Sequence, residues 1–196
     1  LEYMYGHSLE QEMWDFERVR SEIDDDKASG LPYNWLFGTK KGDVLKHMSV
    51  EELYDDFLNY SQMTSATLKS ELRAIGKDAR LFIPANIAMI VAGMRLFGAQ
   101  NEGVADCHNE LPIKIGLETP GTEAHRFWCD FVRFVGEPHQ FDGVQNDARL
   151  AVVLFMIIRD FRKKHLPEEF HKHVDRYYDI IHAMLVSVKG NVFRLY

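Results

Sequence analysis

Cysteine is scarce. Cys107 and Cys129 are the only two, neither lies at a metal-ligand spacing, and so few thiols argue for a reducing compartment without a disulfide framework. Long apolar runs are missing too. With no stretch of about eighteen apolar residues, the sequence predicts no transmembrane span, and its acidic first thirty residues argue against a signal peptide. No methionine opens the chain, so Leu1-Glu2 is read either as an added remnant or as the inside of a longer protein. Positive charge is in deficit, with 23 Lys and Arg against 30 Asp and Glu for a net charge of −7. That balance counts against a protein that coats nucleic acid with a uniformly basic surface, though it leaves room for a local basic channel. A phosphate-cradling Gly-rich loop with Lys-Ser/Thr, a Gly-x-Ser-x-Gly elbow and an internal repeat are all missing. What is present is a globular chain of 196 residues, 46% hydrophobic, long enough for one ordinary domain or two sub-domains sharing a core.

The basic residues fall into three clusters: Lys40, Lys41 and Lys46; Lys69, Arg73, Lys77 and Arg80; and Arg159, Arg162, Lys163 and Lys164. The third closes a predicted helix, where cations are favoured by the dipole, so it reads as a solvated C-terminal turn.

Taken in order, Leu9, Met13, Phe16 and Ile23 recur at helical spacing, predicting a helix over 8–23 that ends in the acidic run 24–26. Residues 28–43 are dense in turn formers and aromatics and read as loop. Ser49 and Glu52 form a capping box ahead of Leu53, Phe57 and Tyr60, a helix that stops near Ser61. Residues 67–73 and 79–83 alternate as two strands around a turn at Gly76, giving a hairpin with basic side chains on one face. Such a hairpin could align a triphosphate for attack, or its cations could simply discourage edge pairing. Pro84 is expected to open a largely buried helix through Phe97, followed by irregular chain over 99–118 and a helix over 122–135. Leu166-Pro167 precedes a helix from Glu168 to about Leu185. His171 and His173, two apart on that helix, point to different faces, which argues against a zinc site. An apolar element begins at Gly190.

One stretch organises the rest. Pro138 ends a helix, Gln140-Phe141 is a short extended piece, Gly143 permits a sharp turn, and Asn146 can cap a helix that carries the apolar run 148–158. Asp142 then ends the strand and Asp147 sits in the first helical turn, where the dipole favours a carboxylate. Because five residues separate them across a turn, both carboxylates can approach one ligand, such as a hard divalent cation with a phosphate or ribose. Alternatively, Asp142 is a turn residue and Asp147 a helix-start charge.

In this order the features resemble the fingers and early palm of the RNA-directed RNA polymerases of picorna-like positive-strand RNA viruses. Ser29-Gly30-Leu31-Pro32-Tyr33 with 38–43 resembles the family's Ser-x-Gly-aromatic-Pro loop and its Lys-rich continuation. Residues 68–73 and 76–82 are similar to motif F, the basic finger over the nucleotide channel, with Ser70 where an Asp is usual. Asp142 to Asp147 matches motif A, and 187–192 resembles the approach to motif B.

The resemblance implies a helix-rich α+β fold, the fingers plus partial palm of a right-hand polymerase. Residues 1–137 would form the N-terminal segment and fingers (motif F at about 67–83), 138–166 the palm strand, turn and helix, and 167–196 a helix returning to the fingers. It implies Asp142 as the catalytic metal ligand, Asp147 at the ribose 2′-hydroxyl, and Arg80, Lys77, Lys69 and Arg73 on the triphosphate. It further implies a two-metal site with Mg²⁺ or Mn²⁺, completed by residues this chain lacks, since no Gly-Asp-Asp occurs. The expected partners are RNA template and primer, nucleoside triphosphates and the remainder of the polymerase, in a membrane-associated replication complex of the host cytoplasm. On that reading the chain is an incomplete portion of the enzyme. A helical cytosolic module that binds a protein partner without chemistry is the alternative. Lys and Arg facing Asp142 across a channel would favour the polymerase, and scattered cations the module.

Overall fold

The structure, a computed structural model, describes residues 12–69, 75, 80–107, 122, 125, 129 and 152–194. The first helix, α1 (Phe16–Glu22), is shorter than the periodicity predicts, because the Asp15 side chain accepts the Arg18 backbone N–H and starts the helix there. The acidic run that follows is exposed to solvent, and its carboxylates make surface ion pairs. Asp24, Asp25 and Asp26 pair with Lys27, Arg20 and Lys40 respectively.

Within the segment expected to be loop, two short helices form, α2 (Tyr33–Leu36) and α3 (Lys41–Leu45). Each buries an apolar anchor, Tyr33 and Val44, which neighbouring turn residues obscure in the sequence. The helix α4 (Val50–Asn59) starts at the expected capping box. Ser49 Oγ accepts the Glu52 N–H, and Glu52 Oε2 accepts the Ser49 N–H at 2.7 Å.

The longest helix among the described residues, α5 (Ile87–Asp106), forms the centre of the core. Asn86, not Pro84, caps it, and it runs on through residues where irregular chain is expected from the sequence. Gly98 lies within that longer helix. A Cβ there would come within 2.4 Å of the Trp14 ring, so the glycine admits a close neighbour instead of ending the helix. Val19, Leu53, Phe57, Ile87, Val91 and Ala92 form one buried cluster between α1, α4 and α5.

Past the segment containing 122, 125 and 129, which are helical, comes α6 (Val152–Lys163). Its apolar residues Val152, Val153, Leu154, Met156, Ile157 and Ile158 are exposed. A 3₁₀ turn (Glu168–Phe170) leads into α7 (His171–His182), which ends before the predicted Leu185. The strand β1 (Met63–Ser65) pairs in parallel with β4 (Leu185–Val188), and β4 pairs antiparallel with β5 (Asn191–Arg194). Lys189 and Gly190, at φ 50° and 82°, make the two-residue turn between β4 and β5. A separate hairpin joins β2 (Thr67–Leu68) to β3 (Leu81–Phe82).

Candidate functional site

The β2–β3 hairpin is the part of the predicted site that the described residues contain. Its register pairs Thr67 with Phe82 and Leu68 with Leu81. The next step brings Lys69 opposite Arg80, whose carbonyl accepts the Lys69 backbone N–H at 2.8 Å. Residues directly opposite in an antiparallel ladder project from the same face, with Cβ atoms about 4.5–5.5 Å apart. The hairpin therefore sets two cations side by side, and all four strand residues around them are exposed. Ile75, between the strands, is fully exposed. Arg73, Lys77, Asp142 and Asp147 lie outside the described residues. Among the described residues, no group of three or more His, Cys, Asp or Glu is placed to hold a metal ion.

The other two basic clusters are largely used by the fold. Lys40 contacts Asp26 at 2.7 Å and Lys46 contacts Asp43 at 3.1 Å, while Lys41 is buried and burial lowers its pKa. Contrary to the solvated-turn expectation, Arg162 lies over the Phe97 ring and donates to Gln100 Oε1 and Asn101 Oδ1. Lys163 holds Asp175 of α7 at 2.8 Å.

The histidines of α7 face separate partners, as their spacing implies. His171 Nε2 donates to the Leu166 carbonyl, and His173 Nδ1 pairs with the Tyr54 hydroxyl at 2.8 Å. Burial, and then the Arg95 charge, lower the His173 pKa. Arg95 itself lies 3.9 Å from the Phe16 ring centroid and donates to the Trp14 carbonyl.

A buried polar cluster next to the hairpin is not visible in the sequence. Asn86, Gln62, Thr64 and Ser29 are all buried. Asn86 Nδ2 contacts the Leu31 carbonyl, Gln62 Oε1 and the Met63 carbonyl at 3.0, 2.9 and 3.1 Å. Asn86 Oδ1 meanwhile accepts the Met89 N–H, as a helix cap does. The only sequence signal is an Asn shortly after a Pro and ahead of an apolar run, a capping pattern that says nothing of the three acceptors that its two Nδ2 protons share.

No family model matches the chain. Among curated proteins it is similar to genome polyprotein 1 of Barley mild mosaic virus (strain Na1), 25% identical over 85% of this chain, and to that of Barley yellow mosaic virus (isolate Germany), 25% identical over 91%. The chain spans 8% of the length of each of these relatives. Among solved structures, it matches a Sicinivirus 3Dpol RNA dependent RNA polymerase with a TM-score of 0.70 and 22% identity, over 88% of this chain and 40% of that one. The likeness read from motif order is thus present in three dimensions: this mixed helix-and-strand chain has the fold of part of a picornavirus-like viral RNA-dependent RNA polymerase.

Proposed function

We propose that this chain forms the fingers and the opening of the palm of a longer viral polymerase that performs template-directed RNA synthesis. Residues 1–137 would be the N-terminal segment and fingers, 138–166 the palm strand, turn and helix, and 167–196 the return to the fingers. One observation carries the reading. Lys69 and Arg80 stand opposite each other on an exposed hairpin, within a fold that matches a polymerase over 88% of the chain. A polyphosphate lying along that face makes charge-assisted contacts with both side chains.

In the proposed reaction, a primer 3′-hydroxyl attacks the α-phosphate of a nucleoside triphosphate, a new phosphodiester bond forms, and pyrophosphate leaves with the electron pair of the broken P–O bond. Arg80 and Lys69, with Arg73 and Lys77, neutralise and align the triphosphate. Asp147 accepts a hydrogen bond from the ribose 2′-hydroxyl, which selects ribonucleotides. Asp142 is the metal-holding carboxylate, together with carboxylates from the remainder of the polymerase, and a carboxylate is the donor type that Mg²⁺ or Mn²⁺ prefers. When bound, two such cations neutralise charge on the attacking and leaving oxygens. The partners are RNA template, primer and nucleotides, in a replication complex of the infected host cell's cytoplasm. Among the described residues, no helix is long and apolar enough to cross a membrane.

The test is primer extension by the full-length polymerase on an RNA template. Extension should require a divalent cation and fall to background in Asp142→Asn. Extension at the wild-type rate by that variant refutes the assignment.

A further inference from the structure

The described strands of the basic hairpin are exposed, so the contacts at its base matter for where it lies. Its four strand residues are exposed, and so are Lys69 and Arg80. Core packing of the strands therefore does not fix the direction of the hairpin. Its two feet are another matter. Thr64, three residues before β2, is completely buried, and its hydroxyl donates to the carbonyl of Pro84, two residues after β3. Asn86, also completely buried, then ties this junction to three other parts of the chain.

Its amide reaches Met63 on β1, Gln62 just before β1, and Leu31 in the loop ahead of α2. Gln62 passes the linkage on, since its Nε2 donates to the Asp56 and Tyr60 carbonyls at the end of α4. Arg176 of α7 also donates to Tyr60 O, at 2.7 Å, and to Phe57 O, at 2.6 Å. On the other side, the Ile87 N–H donates to the Ser29 carbonyl. Gly30 lies so close that a Cβ would sit 2.7 Å from Asn86 Cα.

We infer that Asn86 is a positioning residue for the basic hairpin: its buried side-chain amide locks both feet of the hairpin to the 29–31 loop and the end of α4, so that Lys69 and Arg80 are held in place for the triphosphate. The functional half of this inference rests on the polymerase reading. Helix capping alone would explain only the Oδ1 bond to Met89. An ordinary cap residue does not need a fully buried amide with three acceptors from sites 23, 24 and 55 residues away.

Asn86→Ser separates the two roles, because serine still caps a helix but cannot reach the three acceptors. Gln62→Met, nearly isosteric and away from the cap, is the second variant. In full-length polymerase with Cys107 and Cys129 replaced by Ser, spin labels at Ile75 and Glu51, both exposed, report the distance from hairpin to α4. Both variants should widen and shift that distance distribution. They should also raise the nucleotide KM about tenfold, with the active-site concentration and RNA affinity changing less than about twofold. A purely structural role predicts the opposite pattern, fewer active molecules with an unchanged KM and unchanged distances, and that result overturns the inference. If one variant fails to fold, the distances and KM of the other decide between the two roles. If wild-type polymerase incorporates no nucleotide yet the distances respond, the polymerase reading falls and the hairpin anchor stands. If wild type is active and the distances do not move, the anchor falls alone.

Discussion

Removing Arg80 tests the proposed chemistry most directly. The residue is exposed, so Arg80→Ala should leave folding stability within about 0.5 kcal/mol of wild type. Its place opposite Lys69, fixed by the 2.8 Å bond from the Lys69 N–H to the Arg80 carbonyl, brings both cations to one face of the hairpin. A charge-assisted phosphate contact that tightens in the transition state contributes roughly 2–4 kcal/mol, so kcat/KM for nucleotide incorporation should fall by a factor of about 10² to 10³. The opposed geometry adds a second expectation. If both side chains grip the same triphosphate, Lys69→Ala combined with Arg80→Ala should cost less than the sum of the single changes, by about 0.5–3 kcal/mol. The assay is single-nucleotide incorporation by full-length polymerase, with all four members of the cycle measured together. A loss below about threefold for Arg80→Ala in a folded enzyme would refute the phosphate role. The cations would then serve only to discourage edge-to-edge pairing of an exposed hairpin.

Three other expectations rest on particular residues. Asp147→Asn, which keeps a competent capping side chain, should lower the preference for ribonucleotides over 2′-deoxyribonucleotides by about ten- to a hundredfold; an unchanged ratio in the same incorporation assay removes Asp147 from the site. Ser49→Ala deletes the acceptor for the Glu52 N–H but keeps the reciprocal bond to Glu52 Oε2, so urea unfolding should show a loss of about 1 kcal/mol at unchanged m-value, and no loss would mean that water caps α4 equally well. His173 has its pKa lowered by burial and by Arg95, so the folded state binds fewer protons than the unfolded state just below the unfolded value of about 6.5, and stability should drop as pH falls through that region. Thermal unfolding midpoints between about pH 5 and pH 8 should be flatter at the acid end for His173→Gln than for wild type, and superimposable profiles would exclude His173 as the titrating group.

Much of the local structure is legible in the sequence because its causes are local. Ser49 and Glu52 are three apart, and a capping box needs nothing further away than that. The β2–β3 hairpin is readable from alternation around a turn, and with it the placement of Lys69 and Arg80. The fold likeness expected from the order of the motifs is met by a TM-score of 0.70 at 22% identity. Features whose causes lie elsewhere in the chain are not legible in this way. The close approach of the Trp14 ring to Gly98 is one such feature, and periodicity ends α5 too early. Residues 63–65 carry no strand signal, because the partner of β1 is β4, beginning at Leu185, and only the folded chain closes that distance.

The sequence by itself determined which segments prefer helix or hairpin, where the capping box starts α4, and which charged residues are candidates for a phosphate. These depend on neighbours within a few positions, and every neighbour is written in the order of residues. Tertiary structure alone decided the surroundings of each cation. It set Arg162 and Lys163 against Phe97 and Asp175 and buried Lys41, while Lys69 and Arg80 stayed on an exposed face. It also gave Asn86 its three distant acceptors. A buried amide takes whatever hydrogen-bond partners the surrounding fold provides, and those partners come together only once separate segments of the chain have packed against one another.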